Sequence, residues 1–203
     1  MTSRYDKDEE VCGQGEPADT WYQVVKGAAR RCMVCADGRR RIVGLLLPGD
    51  CFGFTVNRGC DCSVESVMDG TIVASIPRRR AEMLADSDPI VAREIREFAF
   101  TVIAQLQTQL LVVGRTTARE KVGSFLFEMS HRLERDDGGR VVLPVSRYDI
   151  ADYLAISAET VSRSLSRLRG LGLINLAEPR HVRILNNSGL RNYQHHVHPR
   201  AST

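Results

Sequence analysis

Short apolar runs alternate with turn residues along the first third of the chain. Val24-Val25, Ile42-Val43 and Leu45–Leu47 are separated by turn pairs such as Asp37-Gly38 and Arg58-Gly59. Turn pairs that recur at regular intervals between short strands predict an antiparallel barrel or sandwich. Asp37-Gly38 predicts a two-residue hairpin turn of the primed type, in which both residues have positive φ.

The pattern changes after Pro77, where a long amphipathic helix is predicted from Pro89 to Val113. Asp88 is expected to act as the N-cap residue, with Pro89 in the first helical position. Apolar residues recur at spacings of three and four along one face, namely Ile95, Ala99, Val102, Leu106, Leu110 and Val113. At ~1.5 Å per residue the helix is roughly 37 Å long. Its apolar face packs either on the chain's own β domain or on a second copy, and the length favours a dimer interface.

A capping box begins the next predicted helix. Thr117 and Glu120 have the spacing at which two side chains satisfy each other's backbone N–H groups. The apolar face of this helix is formed by Val122, Phe125, Leu126 and Met129.

Two short helices joined by a tight turn are predicted between Arg147 and Leu168. The first helix has one apolar face, formed by Ile150, Ala151 and Leu154, and Ala155-Ile156 forms the turn. Ser157 caps the second helix. The inward face of the second helix repeats at i, i+4 and i+7, with Val161, Leu165 and Leu168. This arrangement predicts a helix-turn-helix, to which the strands Ile174–Leu176 and Val182–Leu185 add a wing.

The outward face of the second helix has residues that suit base recognition. Arg163 can donate two parallel hydrogen bonds to guanine, and Glu159, one turn earlier, can accept from the amine of the paired cytosine. We therefore predict base contacts by Glu159, Ser162 and Arg163. The alternative is a surface ion pair between Glu159 and Arg163, worth only about 0.3–0.5 kcal/mol. Contacts to the DNA backbone are predicted for Arg147, Ser157, Thr160, Arg167 and Arg180.

The composition is that of a globular protein with a weak positive charge. The chain has 203 residues, of which 43% are hydrophobic and 26% charged, and its net charge is +3. Such a charge neither demands nor excludes a nucleic-acid partner. No apolar stretch is long enough to span a membrane. The polar segment Met1–Glu10 lacks the apolar core of a secretory signal, so we expect a cytoplasmic protein with no membrane partner.

The cysteines are confined to one part of the chain, and all six lie in its first third: Cys12, Cys32, Cys35, Cys51, Cys60 and Cys62. A disulfide framework is not expected in a reducing cytosol. Cys32 and Cys35 have the spacing of a redox or metal pair, but in a strand they point to opposite faces. Cys60 and Cys62 share a face. These four residues are the redox candidates, and the alternative is that the cysteines are small buried hydrophobic residues.

Metal-ligand spacing also occurs near the C-terminus, at His195, His196 and His198. We interpret this segment as part of a solvated tail rather than a metal site, and we predict no metal site in the chain.

From about Glu10 to Ile184 the chain resembles the CRP/FNR superfamily of bacterial transcription regulators. The resemblance rests on the order and spacing of five motifs, which are Gly15–Tyr22, Gly27-Ala28, Asp37–Arg40, Leu47–Gly53 and Glu159–Arg163. It implies an α+β fold with an N-terminal antiparallel β-roll of the jelly-roll, cyclic-nucleotide-binding type. A long dimerisation helix and a C-terminal winged helix-turn-helix would follow the roll.

The expected domain boundaries follow from this resemblance. They are 1–85 for the β-roll, 86–114 for the dimerisation helix, 115–190 for the winged helix-turn-helix and 191–203 for a flexible tail.

Within the superfamily the second helix resembles the FNR branch, and the chain is most like the FixK-type regulators. Glu159 is followed three and four residues later by Ser162 and Arg163, as in that branch. The resemblance implies a homodimer that binds a TTGA-N6-TCAA palindrome and contacts RNA polymerase, most often as an activator.

The resemblance also bears on the effector. Cyclic-nucleotide binders of the superfamily have Gly-Glu-Leu and Arg-Ser-Ala motifs in the roll, and this chain has neither between Gly53 and Val64. The oxygen sensor FNR has a four-cysteine iron–sulfur cluster, but Ala74 stands where its fourth ligand would be. We therefore expect no cofactor and no cyclic nucleotide. The alternative is a redox, iron–sulfur or haem-dependent gas sensor that uses the N-terminal cysteines.

An enzymatic alternative is a metal-dependent cupin, because β-rolls resemble cupin barrels. Such an enzyme needs several histidines inside the barrel, whereas the five histidines of this chain begin only at His131. We therefore do not expect an enzyme.

Overall fold

A computed structural model describes residues 1–115 and 117–193. These residues form two compact units, one comprising Met1–Gln109 and the other beginning at Leu110. The predicted histidine motif at His195, His196 and His198 lies outside the described residues. Among the residues described, no helix is long and apolar enough to cross a membrane.

The first part of the chain is rich in strands and the second part is rich in helices. The strands are β1 (Thr2–Tyr5), β2 (Glu10–Cys12), β3 (Thr20–Lys26), β4 (Ala29–Val34), β5 (Arg40–Leu46), β6 (Cys51–Phe52), β7 (Ser63–Ser66), β8 (Thr71–Pro77), β9 (Val141–Val142), β10 (Ile174–Leu176) and β11 (His181–Ile184). The helices are α1 (Arg78–Ser87), α2 (Pro89–Val113), α3 (Ala118–Arg132), α4 (Arg147–Tyr153), α5 (Ala158–Gly170) and α6 (Asn187–Arg191).

Two four-stranded antiparallel sheets form the roll of the first unit. Their strand orders are β1-β8-β3-β6 and β2-β7-β4-β5. The core draws on strands of both sheets and consists of Cys12, Val24, Ala29, Leu46, Phe52, Val64 and Val73. The predicted antiparallel β-roll is confirmed.

The turn between β4 and β5 differs from the predicted two-residue turn. It spans residues 35–39, with the N–H of Gly38 donating to the carbonyl of Cys35 at 2.9 Å. Gly38 has a φ of 77°, whereas Asp37 does not have positive φ. The Asp37 carboxylate accepts a hydrogen bond from the backbone N–H of Arg39 at 3.0 Å. This Asx turn takes the place of the primed turn that we predicted.

Both the backbone conformation and the close neighbours of position 53 require a glycine there. Its φ is +89°, and a Cβ atom there would lie 2.5 Å from the carbonyl oxygen of Thr20. Only glycine adopts this conformation without strain and also permits such a close approach.

Helix α2 has the bounds that its periodicity predicts. The predicted cap is also present, because the Asp88 side chain accepts from the N–H of Ile90 at 2.8 Å. The helix is tied to the roll through Gln105, whose Nε2 donates to Oδ1 of the buried Asp50 at 2.7 Å. The other carboxylate oxygen of Asp50 accepts from the N–H of Leu47 at 2.7 Å.

The second unit combines helices α3 to α6 with a small antiparallel sheet of order β10-β11-β9. The predicted capping box of α3 is present, with Thr117 and Glu120 each accepting from the other's backbone N–H. The apolar residues predicted on α3, α4 and α5 are buried. The winged helix-turn-helix expected from the sequence is therefore confirmed.

The chain remains ordered beyond the point where the flexible tail was predicted to begin. Helix α6 ends at Arg191, and the hydroxyl of Ser124 donates to the carbonyl of Tyr193 at 2.6 Å. A Cβ atom on Gly123 would lie 2.9 Å from the Tyr193 ring, so the ring packs directly on the backbone of α3. This ring and carbonyl attach residues 191–193 to α3, next to the predicted boundary at residue 191.

Candidate nucleic-acid interface

Both helices of the helix-turn-helix begin at a serine cap. Ser146 accepts from the N–H of Asp149 at 3.1 Å, and the Asp149 carboxylate accepts from the N–H of Ser146 at 2.9 Å. Ser157 accepts from the N–H of Thr160 at 3.1 Å, as predicted. The capping box of α4 was not predicted, although Ser146 and Asp149 have the readable spacing.

The turn between α4 and α5 forces Ala155 into the left-handed region. Ala155 has a φ of 51°, and the next residue, Ile156, donates its N–H to the carbonyl of Ala151 at 3.0 Å. A residue with a Cβ atom is strained there by about 1–2 kcal/mol. The angle between the two helices is thus held at some cost to stability.

Helix α5 has a buried face and an exposed face. Val161, Leu165 and Leu168 are almost fully buried, while Glu159, Arg163 and Arg167 are exposed and Ser162 is half-buried. The helix contains three arginines and one glutamate. The packing of the inner face therefore holds a net positive outer face toward solvent.

Glu159 and Arg163 form the i, i+4 pair that the sequence analysis considered as an alternative. Arg163 Nη1 lies 3.6 Å from Glu159 Oε1, and the two side chains are 70% and 76% exposed. An ion pair so exposed contributes little to stability. Both side chains therefore remain available to an external partner.

Arg147 has a partner within the chain that the sequence did not predict. Its Nη1 donates to the hydroxyl of Ser162 at 3.1 Å, which joins α4 to α5. Arg147 is half-buried. This geometry orients the Ser162 hydroxyl. The predicted contact of Arg147 with the DNA backbone stays a prediction.

The wing presents a further basic residue. Arg180 is exposed at the end of the turn between β10 and β11, and its carbonyl accepts from the N–H of Leu143 at 2.9 Å. The turn is therefore anchored while the side chain of Arg180 faces solvent. Of the other predicted backbone-contact residues, Ser157 and Arg167 are exposed and Thr160 is half-buried.

Three exposed residues of this unit were missing from the predicted site. Tyr148, in the first turn of α4, is 79% exposed, and Arg169 and Arg183 are exposed on α5 and β11. Their charge or hydrogen-bonding groups suit phosphate contacts. Tyr148 could have been found from the sequence, because it is an aromatic residue in the first turn of a helix whose inner face is apolar.

The predicted apolar face of α2 is divided by the structure. Val102 and Leu106 line a cavity of the roll, although Leu106 is also 44% exposed, and Ile95, Ala99 and Val113 are half-buried. Leu110 is 74% exposed. Other large apolar residues that the prediction omitted are also exposed, namely Phe100, Ile103 and Leu111. One part of the helix therefore packs on the roll, while another has exposed apolar side chains.

Four of the six cysteines line one cavity in the roll. The cavity measures about 270 Å³, and its walls include Cys12, Cys51, Cys60 and Cys62 together with Arg31. Of the four redox candidates, Cys60 and Cys62 line the cavity. Cys32 is buried in β4 and Cys35 follows that strand, and neither lines the cavity. The proximity of Cys12 to Cys60 and Cys62 was not predicted from the sequence.

A metal centre finds little support in this arrangement. Within residues 1–115 and 117–193, no group of three or more His, Cys, Asp or Glu side chains is placed to hold a metal ion. A four-cysteine iron–sulfur cluster needs four converging thiolates, and the described cysteines do not supply such a set. We therefore derive no function through a cluster.

Family comparisons agree with this architecture. Residues 2–88 match the cyclic nucleotide-binding domain, and residues 120–193 match the Crp-like helix-turn-helix domain. The nitrogen fixation regulation protein FixK of Azorhizobium caulinodans is 37% identical over 188 residues, which cover 91% of this chain and 75% of FixK. The transcriptional activatory protein AadR of Rhodopseudomonas palustris is 35% identical over 184 residues, covering 90% of this chain and 76% of AadR.

A solved structure shows the same likeness in three dimensions. FixK2 from Bradyrhizobium japonicum superposes with a TM-score of 0.88 at 37% identity, over 98% of each chain. A roll, a long helix and a winged helix-turn-helix together define a DNA-binding regulator. The chain belongs to the CRP/FNR family of transcription regulators, and within it resembles the FixK proteins.

Proposed function

We propose that the protein is a transcription activator that binds a TTGA-N6-TCAA palindrome as a homodimer, without a small-molecule effector. The outward face of α5 carries this proposal. Glu159 and Arg163 are exposed one turn apart, and their chemistry matches the donor and acceptor pattern of a guanine–cytosine pair in the major groove. Ser162 lies beside them and is oriented by Arg147.

A second copy would supply the other half-site. The large apolar residues exposed on α2, among them Phe100 and Leu110, support a helix-to-helix interface between two copies. A two-fold dimer of this kind places two recognition helices about 34 Å apart, one turn of DNA. The palindromic form of the proposed operator mirrors that symmetry.

Activation is proposed from the relatives. AadR is named as an activatory protein and FixK as a regulation protein, and activators of this family act through RNA polymerase. The absence of an effector is proposed because the roll lacks the Gly-Glu-Leu and Arg-Ser-Ala motifs of the cyclic-nucleotide binders.

Fluorescence anisotropy tests the proposal. Reduced protein, without additive, is titrated onto a TTGAT-N4-ATCAA duplex and onto a scrambled duplex at the same salt concentration. We expect the operator to bind about 10³-fold more tightly or better. Equal affinity for both duplexes would contradict the half-site. If specific binding appeared only after addition of a cyclic nucleotide, the effector-free proposal would be overturned.

The alternative function is a haem-dependent sensor of the same fold. The observation that favours it is the set of four cysteines around one cavity, because a cysteine thiolate can ligate haem iron. A visible spectrum of anaerobically purified protein decides between the two. Absorption from a bound chromophore in proportion to the protein would support the sensor, and a featureless spectrum would support the effector-free regulator.

A further inference from the structure

Cys12 and Cys60 both line the roll cavity, and Cys12 is close enough to affect the pKa of the Cys60 thiol. The main chain explains this proximity. Cys60 donates its N–H to the carbonyl of Glu16 and accepts from the N–H of Gly15, both at 2.8 Å, so the Cys60 segment is held against the turn that follows Cys12.

The other two thiols on the cavity wall have different neighbours. Cys51 lies beside Asp50 and Gln23. Burial raises the pKa of the Cys62 thiol, and the positive charge of the nearby Arg31 lowers it only in part. Cys60 and Cys62 are two residues apart, in the bend that precedes β7.

We infer that Cys12 and Cys60 form a modification site, a dithiol that hydrogen peroxide or a similarly small peroxide converts to a disulfide. The cavity admits such a reagent, because it measures about 270 Å³ and both thiols line it. Cys60 is the more exposed of the two and is oxidised first, since Cys12 belongs to the buried core of the roll.

The reaction balances in two steps. The Cys60 thiolate attacks one peroxide oxygen, the O–O bond breaks, and a sulfenic acid and water result. The Cys12 sulfur then displaces the sulfenic oxygen, which leaves as a second water when the S–S bond forms. In total, two thiols lose two electrons and two protons, and one peroxide is reduced to two waters.

The environment of the pair sets a slow rate. Burial raises the pKa of Cys12 to about 12, with further contributions from Cys60, Cys62 and Glu16. Burial also raises the pKa of Cys60, although the hydrogen bond with Cys12 lowers it in part. Because the thiolate is the reactive form, we expect closure to be slower than the oxidation of glutathione under the same conditions.

Peptide mapping tests the assignment on the full chain. Reduced protein is exposed to hydrogen peroxide, its remaining thiols are alkylated, and it is digested with trypsin and Asp-N without reduction. Cleavage after Arg58 and before Asp61 places Cys51, Cys60 and Cys62 on separate peptides. We expect the intact mass to fall by two hydrogen atoms and one linked peptide pair to contain Cys12 and Cys60.

Variants separate this pair from the other cysteines. Cys12→Ala and Cys60→Ser should each abolish the linked peptide, whereas the matched control Cys35→Ser should retain it. Circular dichroism melting verifies that each variant is folded. A link from Cys60 to Cys62, a link between Cys32 and Cys35, or six intact thiols after prolonged exposure would each overturn the assignment.

The assignment does not depend on the proposed function, and the two fail in different ways. Anisotropy on the same reduced and oxidised samples keeps them apart. If reduced protein ignores the TTGA duplex while the Cys12–Cys60 peptide forms, only the DNA proposal fails. If the operator is bound specifically and no such peptide forms, only the modification site fails.

Discussion

Replacing Arg163 by alanine should weaken DNA recognition without weakening the fold. The Arg163 guanidinium lies 3.6 Å from the Glu159 carboxylate, and both side chains are more than two-thirds exposed. Exposed pairs on a helix contribute about 0.3–0.5 kcal/mol to stability. The melting temperature of Arg163→Ala should therefore stay close to that of the unmodified protein.

The effect on the operator should be larger. A bidentate contact from arginine to guanine is worth about 1–3 kcal/mol of discrimination, which corresponds to about 5- to 150-fold in affinity. We expect Arg163→Ala to lose this factor on the TTGA duplex and much less on scrambled DNA. The difference between the two losses measures the base contact itself.

The assay is anisotropy at fixed salt, with Arg169→Ala as the matched control. Arg169 is exposed on the last turn of the same helix, so its loss should weaken both duplexes alike. A third duplex, in which the half-site guanine is changed, completes a double-mutant cycle. Because the contact to guanine is already absent on this duplex, Arg163→Ala should lose little further affinity for it. Equal losses of Arg163→Ala on specific and scrambled DNA would show that Arg163 does not contact the guanine.

Three further predictions concern the fold and the assembly. Gly53→Ala should destabilise the protein by about 2 kcal/mol or more, because positive φ and the approach of the Thr20 carbonyl both disfavour a Cβ atom. Ala155→Gly should raise stability by up to about 1 kcal/mol, since relief of strain exceeds the entropy that glycine adds to the unfolded chain. Phe100→Asp with Leu110→Asp should convert a dimer to monomers in analytical ultracentrifugation, because charges cannot be buried between apolar helices.

Matched variants give these experiments their controls. Gly49 also has positive φ, but a Cβ atom there meets nothing within 4 Å, so chemical denaturation should show a smaller loss for Gly49→Ala than for Gly53→Ala. A less stable Ala155→Gly protein would argue against strain in the turn. Thr101→Asp changes an exposed position that lies about 100° around α2 from Phe100 and about 180° from Leu110, and it should leave the dimer intact. Dissociation by this variant as well would count against an interface at Phe100 and Leu110.

Local signals explain which elements were predictable. The long helix α2 and the capped helix α3 were recognised because Asp88, Thr117 and Glu120 act on backbone groups a few residues away. Helix α1 was not recognised. Its buried residue among the helical positions is Ala81, so an apolar repeat was missing from a segment rich in arginine and acidic residues.

Contacts between distant residues could not be predicted in the same way. Cys12 and Cys60 meet through the turn after β2 and the backbone pairing of Cys60 with Gly15 and Glu16, and no local spacing reports such pairing. The bond from Arg147 to Ser162 likewise depends on the angle between two helices. The residue types of the recognition face were readable from sequence, but the partners that orient them were not.

The buried carboxylate of Asp50 fixes the rotational setting of α2 against the roll. One of its oxygens accepts from a strand-end backbone N–H at Leu47 and the other from Gln105. A turn of α2 by one residue, about 100°, would carry the Gln105 amide away from that oxygen. Losing a hydrogen bond to a buried charge costs about 1.5–3 kcal/mol. The long helix therefore has one preferred rotation about its own axis. A ligand, partner or covalent change that rotates the helix must supply the free energy lost with this hydrogen bond.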